Sequence, residues 1–84
     1  MSKTVKPTQI PKPQKLADAE TLGHFVRAMR TQSGMGIHEA AAFCGVAVNT
    51  LSKIERASGD VRMSSILTIC KMLGITLNIE ARIN

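Results

Sequence analysis

Two short apolar-patterned stretches meet at Gly45, and the run over residues 34–56, GMGIHEAAAFCGVAVNTLSKIER, leaves room for little except two brief helices joined by a tight turn. Gly45 has no Cβ to oppose a positive φ, so the chain can reverse there within a residue or two. Projected at about 100° per residue, the second stretch sets Ala47, Leu51 and Ile54 on one side and Asn49, Ser52, Lys53 and Arg56 on the other. One side joins a core and the other reaches outward, the layout of a helix-turn-helix. The outward set combines an amide, a hydroxyl and two cations, groups that hydrogen-bond base edges and neutralise phosphates in a major groove.

At 84 residues the chain holds one small domain. A core of that size is marginal alone, so dimerisation is expected. Apolar content comes from aliphatics, Met and Ala, with Phe25 and Phe43 the only aromatics. No apolar run approaches the roughly 18 residues that cross a bilayer, and the first residues lack the apolar segment of a signal peptide, so a cytoplasmic protein is expected. Cys44 and Cys70 fall on apolar stripes and read as small core residues, not as a disulfide framework or zinc site. His24 and His38 have no companion ligands, and neither a metal nor a cofactor is expected.

The net charge of +5 is unevenly spread. Lys3, Lys6, Lys12 and Lys15 precede the first acid, Asp18, and the rest of the chain sets seven bases against six acids, a net of +1. The same segment holds all three prolines, with only Val5 and Ile10 as sizeable apolar residues, too few to offset the entropy of ordering it. Residues 1–16 therefore read as a disordered basic arm. It serves as a solubilising tail, as a follower of DNA phosphates, or as a segment that orders on a protein partner.

Beyond the arm, Asp18 is placed to cap a helix whose apolar positions Leu22, Phe25, Val26 and Met29 recur until Ser33 and Gly34. A second helix spans about 37–44, a third about 48–56, and Met63, Ile66, Ile69, Cys70 and Leu73 mark a fourth ended by Gly74. The period then changes: Leu77, Ile79, Ala81 and Ile83 alternate with polar residues, the repeat of a half-buried strand. No other strand is evident, so its backbone groups need a partner from elsewhere, most simply the same strand of a second copy, antiparallel about a two-fold axis. The expected architecture is an all-α, four-helix domain over residues 17–75 with a dimerisation strand over 76–84.

The spacing of Arg30, Gly34, Ala41, Gly45, Val46, Leu51, Ile54, Glu55, Leu73 and Gly74 resembles that of the lambda-repressor-like family of helix-turn-helix regulators, the Cro/C1 or XRE type. The terminal strand after residues 73–75 is similar to antitoxins of the HipB kind, which dimerise through such strands, repress their own operon and hold a HipA-type serine/threonine kinase toxin. The resemblance implies base reading by Val48, Asn49 and Lys53: a thymine methyl for Val48, a bidentate adenine contact for Asn49, and a guanine or a phosphate for Lys53. Thr50 and Arg56, and with less support from the pattern Ser52, fall at backbone-contact positions. Arg30 and Glu55 match a pair that joins the first and third helices and orients the arginine near the DNA backbone, scaffolding before anything else.

The chain also departs from that pattern. Gly36 and Ile37 stand where the family opens its second helix with Ser or Thr followed by Gln, removing a good N-cap and a polar DNA contact, which implies modest affinity. Ala47 and Val48 replace a polar pair, shifting readout toward apolar contact and shape. Phe43 occupies a usually polar position and either anchors a partner or packs on a neighbouring loop. Two classes of function follow: a dimeric repressor on a palindromic operator, standing alone in the manner of phage repressors, or an antitoxin whose DNA binding is autoregulation. An enzyme is not expected, since two histidines and six acids assemble no nucleophilic triad or carboxylate pair.

Overall fold

The computed structural model describes residues 4–83; Lys3 and the rest of residues 1–3 of the expected arm, and Asn84 at the end of the expected strand, lie outside the described residues. Four helices follow in order, α1 (Ala19–Gln32), α2 (Ile37–Cys44), α3 (Val48–Arg56) and α4 (Met63–Leu73). Each lies where apolar spacing and punctuation put it. Asp18 caps α1, its Oδ1 accepting from the Thr21 backbone N–H at 2.8 Å and the Thr21 hydroxyl at 2.7 Å. Those bonds, the backbone one first, hold the Asp18 carboxyl below its usual range. The cap is thus intact at neutral pH and lost as pH falls through that lowered pKa.

Gly45 and Gly74 close α2 and α4 at φ 72° and 78°, in the left-handed region that glycine enters at little cost. The end of α3 is made differently, since Ala57 takes the left-handed cap with φ 53°. An L side chain there costs about 1–2 kcal/mol, which glycine relieves in part after its own entropy loss. Ala57→Gly should therefore raise the unfolding free energy by up to about 1 kcal/mol, read as a higher denaturant midpoint at unchanged slope.

The core is the meeting of all four helices. Leu51 of α3, Ile69 of α4 and Val26 of α1 are its largest fully buried side chains, with Ala40, Ala41 and Cys44 lining it from α2. Small alanines let the short α2 sit close to α3 and α4, and the core needs no aromatic. Both cysteines are free and buried, and burial pushes their thiols up, away from the reactive thiolate. Among the described residues no helix is long and apolar enough to cross a membrane.

Two segments differ from the sequence expectation. Residues 75–83 carry no regular structure, so the fold is all-α among the described residues, without the expected terminal strand. The physical reason is that a ladder needs a neighbour, and one copy offers none. Ile75 and Leu77 pack half-buried against the helices, whereas Ala81 is exposed and Ile79 and Ile83 are almost bare, at 97% and 90%. The N-terminal arm, from residue 4 on, has neither helix nor strand but is tied down. The Thr8 backbone N–H donates to Thr31 Oγ1 at 2.8 Å, and Gln32 Nε2 donates to the Thr8 carbonyl at 2.9 Å. Thr31 is the buried polar side chain of the core, and its hydroxyl donates to the Arg27 or Ala28 carbonyl of its own helix (2.9 and 3.2 Å) while accepting from Thr8. Two hydrogen bonds to one backbone unit make a local anchor that composition does not reveal.

Candidate nucleic-acid interface

α3 carries the outward face. Leu51 and Ile54 are buried, and Val48 packs half-buried on the same core, so the helix cannot roll without opening it. Asn49 and Arg56 are consequently exposed, with Thr50, Ser52 and Lys53 half-buried between them. The Arg56 Nε donates to Ser52 Oγ at 3.0 Å, one turn back along the helix, so that Ser52 orients the guanidinium. The N-terminus of α3 has Ala47 as its cap and no side-chain acceptor, and α2 likewise starts at Gly36 without one, leaving first-turn N–H groups pointing out of both helices.

Lys53 leans toward the loop after α3. Its terminal carbons lie 3.6–3.7 Å from where a Cβ on Gly59 would be, and its Nζ 4.0 Å. With Thr50, Asp60, Arg62 and Ser65 it lines a shallow polar recess of about 290 Å³ between α3 and the start of α4. The recess was not foreseen in the sequence, because Arg62 and Ser65 belong to the N-cap and first turn of another helix and only the turn at Gly59 brings them beside Lys53.

Arg30 and Glu55 form the shortest polar contact among the described residues. Arg30 Nε donates to Glu55 Oε2 at 2.6 Å and its Nη2 to Oε1 at 2.8 Å, a two-point clamp between α1 and α3, while Nη1 donates to the Met35 carbonyl at 2.9 Å. Their side chains are only 11% and 7% exposed. The clamp locks the last turn of α3 to α1 and to the loop before α2, and it leaves little of the Arg30 guanidinium for a phosphate. Phe43 stands on the outer flank of α2, half exposed and outside the core cluster. Leu77, Ile79, Ala81 and Ile83 lie along the terminal segment, away from the α3 face in sequence and bordering α1 only at Leu77. No cluster of residues able to hold a metal ion occurs among the described residues.

A buried anchor row under an exposed polar row, on a helix fixed by a turn and an ion-pair clamp, is the geometry of a groove-reading helix. Comparison with known proteins agrees. The family described as "Helix-turn-helix domain" matches residues 21–81. No curated protein matches the chain. Among solved structures the chain is similar to one described as "MDT Protein" and to a chain of a HipA-HipB-O2-O3 complex, each at 20% identity and TM-score 0.69 over 82% of this chain and 97% of the other, a likeness of fold. It is also similar to a hypothetical transcription factor, NHTF, from Neisseria, at 27% identity and TM-score 0.65 over 88% of this chain and 83% of that one. With the match running from the first turn of α1 to beyond the end of α4, the chain belongs to the helix-turn-helix domain family.

Proposed function

We propose that the protein is a dimeric, sequence-specific transcriptional repressor of the HipB antitoxin kind, which binds a palindromic operator in its own operon in the cytoplasm and holds a HipA-type kinase toxin. The observation that carries the DNA half is the exposed row on α3, with the Asn49 side chain exposed and hydrogen-bonded to none of the described residues, and the helix pinned behind it by Leu51, Ile54 and the Arg30–Glu55 clamp. Asn49 reads a base edge, assisted by the methyl groups of Val48. Thr50, Ser52 and Arg56 hold the phosphate backbone. Lys53, turned toward the loop, supports the phosphate role better than the guanine one. Arg30 acts through Glu55, as a scaffold.

Asn49→Ala should cost on the order of 1–3 kcal/mol of operator binding while leaving non-specific binding nearly unchanged, as measured by titration on matched and scrambled duplexes. Equal losses on both duplexes would mean that Asn49 reads no base.

The toxin half is supported by the likeness to a chain from a HipA-HipB complex and by Phe43, an exposed aromatic suited to anchoring a protein partner. The likeness to the Neisseria transcription factor favours a second reading, a stand-alone regulator with no toxin. Purification from the native host, with mass spectrometry of what comes with the protein, separates them: a kinase in stoichiometric amount supports the antitoxin, and bound DNA without protein the lone regulator.

The dimer is assigned to residues 76–83, whose apolar alternation needs a pairing strand. Meeting successive major grooves on one side of the duplex requires the two α3 helices to lie about 34 Å apart, and this pairing is what fixes their separation.

A further inference from the structure

The N-terminal segment and the terminal segment run beside each other over α1, and between them lies an apolar groove of about 310 Å³. Ile10, Pro13 and Leu16 form one wall, Phe25 the floor, and Ile75 and Leu77 the other wall. The rim residues Ile10 and Leu16 are 46% and 52% exposed. The anchor at Thr8 holds this wall in place, since both of its hydrogen bonds grip the backbone rather than a side chain that could rotate away. The same chain also has apolar side chains with nothing to cover them. Ile79 and Ile83 share the face of Ile75 and Leu77 by two-residue alternation, yet stand 97% and 90% exposed, beyond the helices of their own subunit.

We propose that the groove is the seat of Ile83 from a second copy of this chain, so that the N-terminal segment is part of the dimer interface. The proposal rests on the strand pairing assigned above and adds its register. With the two-fold axis at Ile79, antiparallel pairing sets Ala81 opposite Leu77 of the partner subunit and Ile83 opposite Ile75 of the partner subunit. Directly opposed side chains on one face lie about 5 Å apart, so Ile83 arrives over the groove wall. The sizes agree with this register. The small Ala81 meets Leu77, which is already packed on the helices, and the larger Ile83 meets open volume. Each dimer has two such seats, and residues 8–16, otherwise an arm of the wrong composition to order alone, gain a reason to be held where they are.

The test is a double-mutant cycle on dimerisation by sedimentation equilibrium, using the full chain with Ile83→Ala, with Ile10→Ala and Leu16→Ala together, and with all three. These positions are exposed in the single subunit, and an unchanged helical circular dichroism spectrum verifies the fold. Ile83→Ala and the groove pair should each weaken the dimer roughly tenfold, and the triple variant should be little weaker than the groove pair alone, because the side chain has lost its seat. Losses that simply multiply, or an Ile83→Ala variant that dimerises normally, would overturn the seat. A chain truncated after Ile75 serves as the reference. If it is monomeric while the losses multiply, strand pairing stands and only the groove assignment falls; if it remains a dimer, both fall.

Discussion

Truncation after Ile75, and separately Ile79→Asp, should convert the protein to a monomer and lower operator affinity by about a thousandfold or more, with the helical circular dichroism kept. The expectation follows from where stability and association reside. The fully buried core of Val26, Leu51, Ile69 and their neighbours lies within the helices, and of residues 76–83 only Leu77 packs against it, half-buried, so the helices keep their fold without this segment. Ile79 at 97% exposure touches almost nothing in its own subunit, and an aspartate there costs the single subunit nothing. In a two-fold sheet the same aspartates would face each other on the buried side, where desolvation and like charge both oppose pairing. A lone helix-turn-helix then keeps only one half-site. The gap between specific and non-specific DNA affinity is commonly about 10³–10⁷, and most of it is lost when the two halves no longer bind together. A truncated chain that still sediments as a dimer would move the interface to the helices, with α4 the first place to look.

Gly23→Ala should be the most damaging single-methyl change in the fold. α1 and α3 cross there, and a Cβ on residue 23 would lie 2.6 Å from the Ile54 carbonyl oxygen and 2.8 Å from that of Glu55. Both are backbone atoms, unable to rotate aside. To admit the methyl group, α1 must back away from α3, opening the packing of Val26 on Leu51 and stretching the Arg30–Glu55 clamp. Overpacking costs typically 1–3 kcal/mol and sometimes more, and rigid neighbours place this site at about 3 kcal/mol or above. For a domain this small that is a large share of its total stability. Chemical denaturation reads it directly, and a loss under about 1 kcal/mol would mean that the two helices slide apart easily.

The helices were legible because local signals and the global pattern agree. Asp18 sits where its carboxylate meets the Thr21 N–H, and Gly45 and Gly74 stand where a left-handed residue must end a helix. The end of α3 at Ala57 carries no such signal, and apolar spacing alone marked it. Within the site, the faces of α3 were readable from helical period, whereas the lean of Lys53 toward Gly59 and the recess with Arg62 and Ser65 come from a turn that sets two helices side by side. Long-range polar contacts left no periodic trace. The anchor of Thr8 on Thr31 spans 23 residues and uses a backbone N–H, so a proline-rich basic stretch read as unstructured when part of it is held. Residues 76–83 show the converse, since their alternation is plain in the sequence but names no partner, and one copy of the chain cannot supply the ladder that it requires.

Selecting fragments of the native genome on the purified protein and sequencing what is retained decides whether two copies of the α3 face read a symmetric operator. The retained fragments should be enriched in a two-fold symmetric site with half-site centres about 10–10.5 base pairs apart, or a multiple of that turn, including one upstream of the protein's own coding sequence. Retention without any enriched sequence, or enrichment of a single site lacking two-fold symmetry, would contradict it.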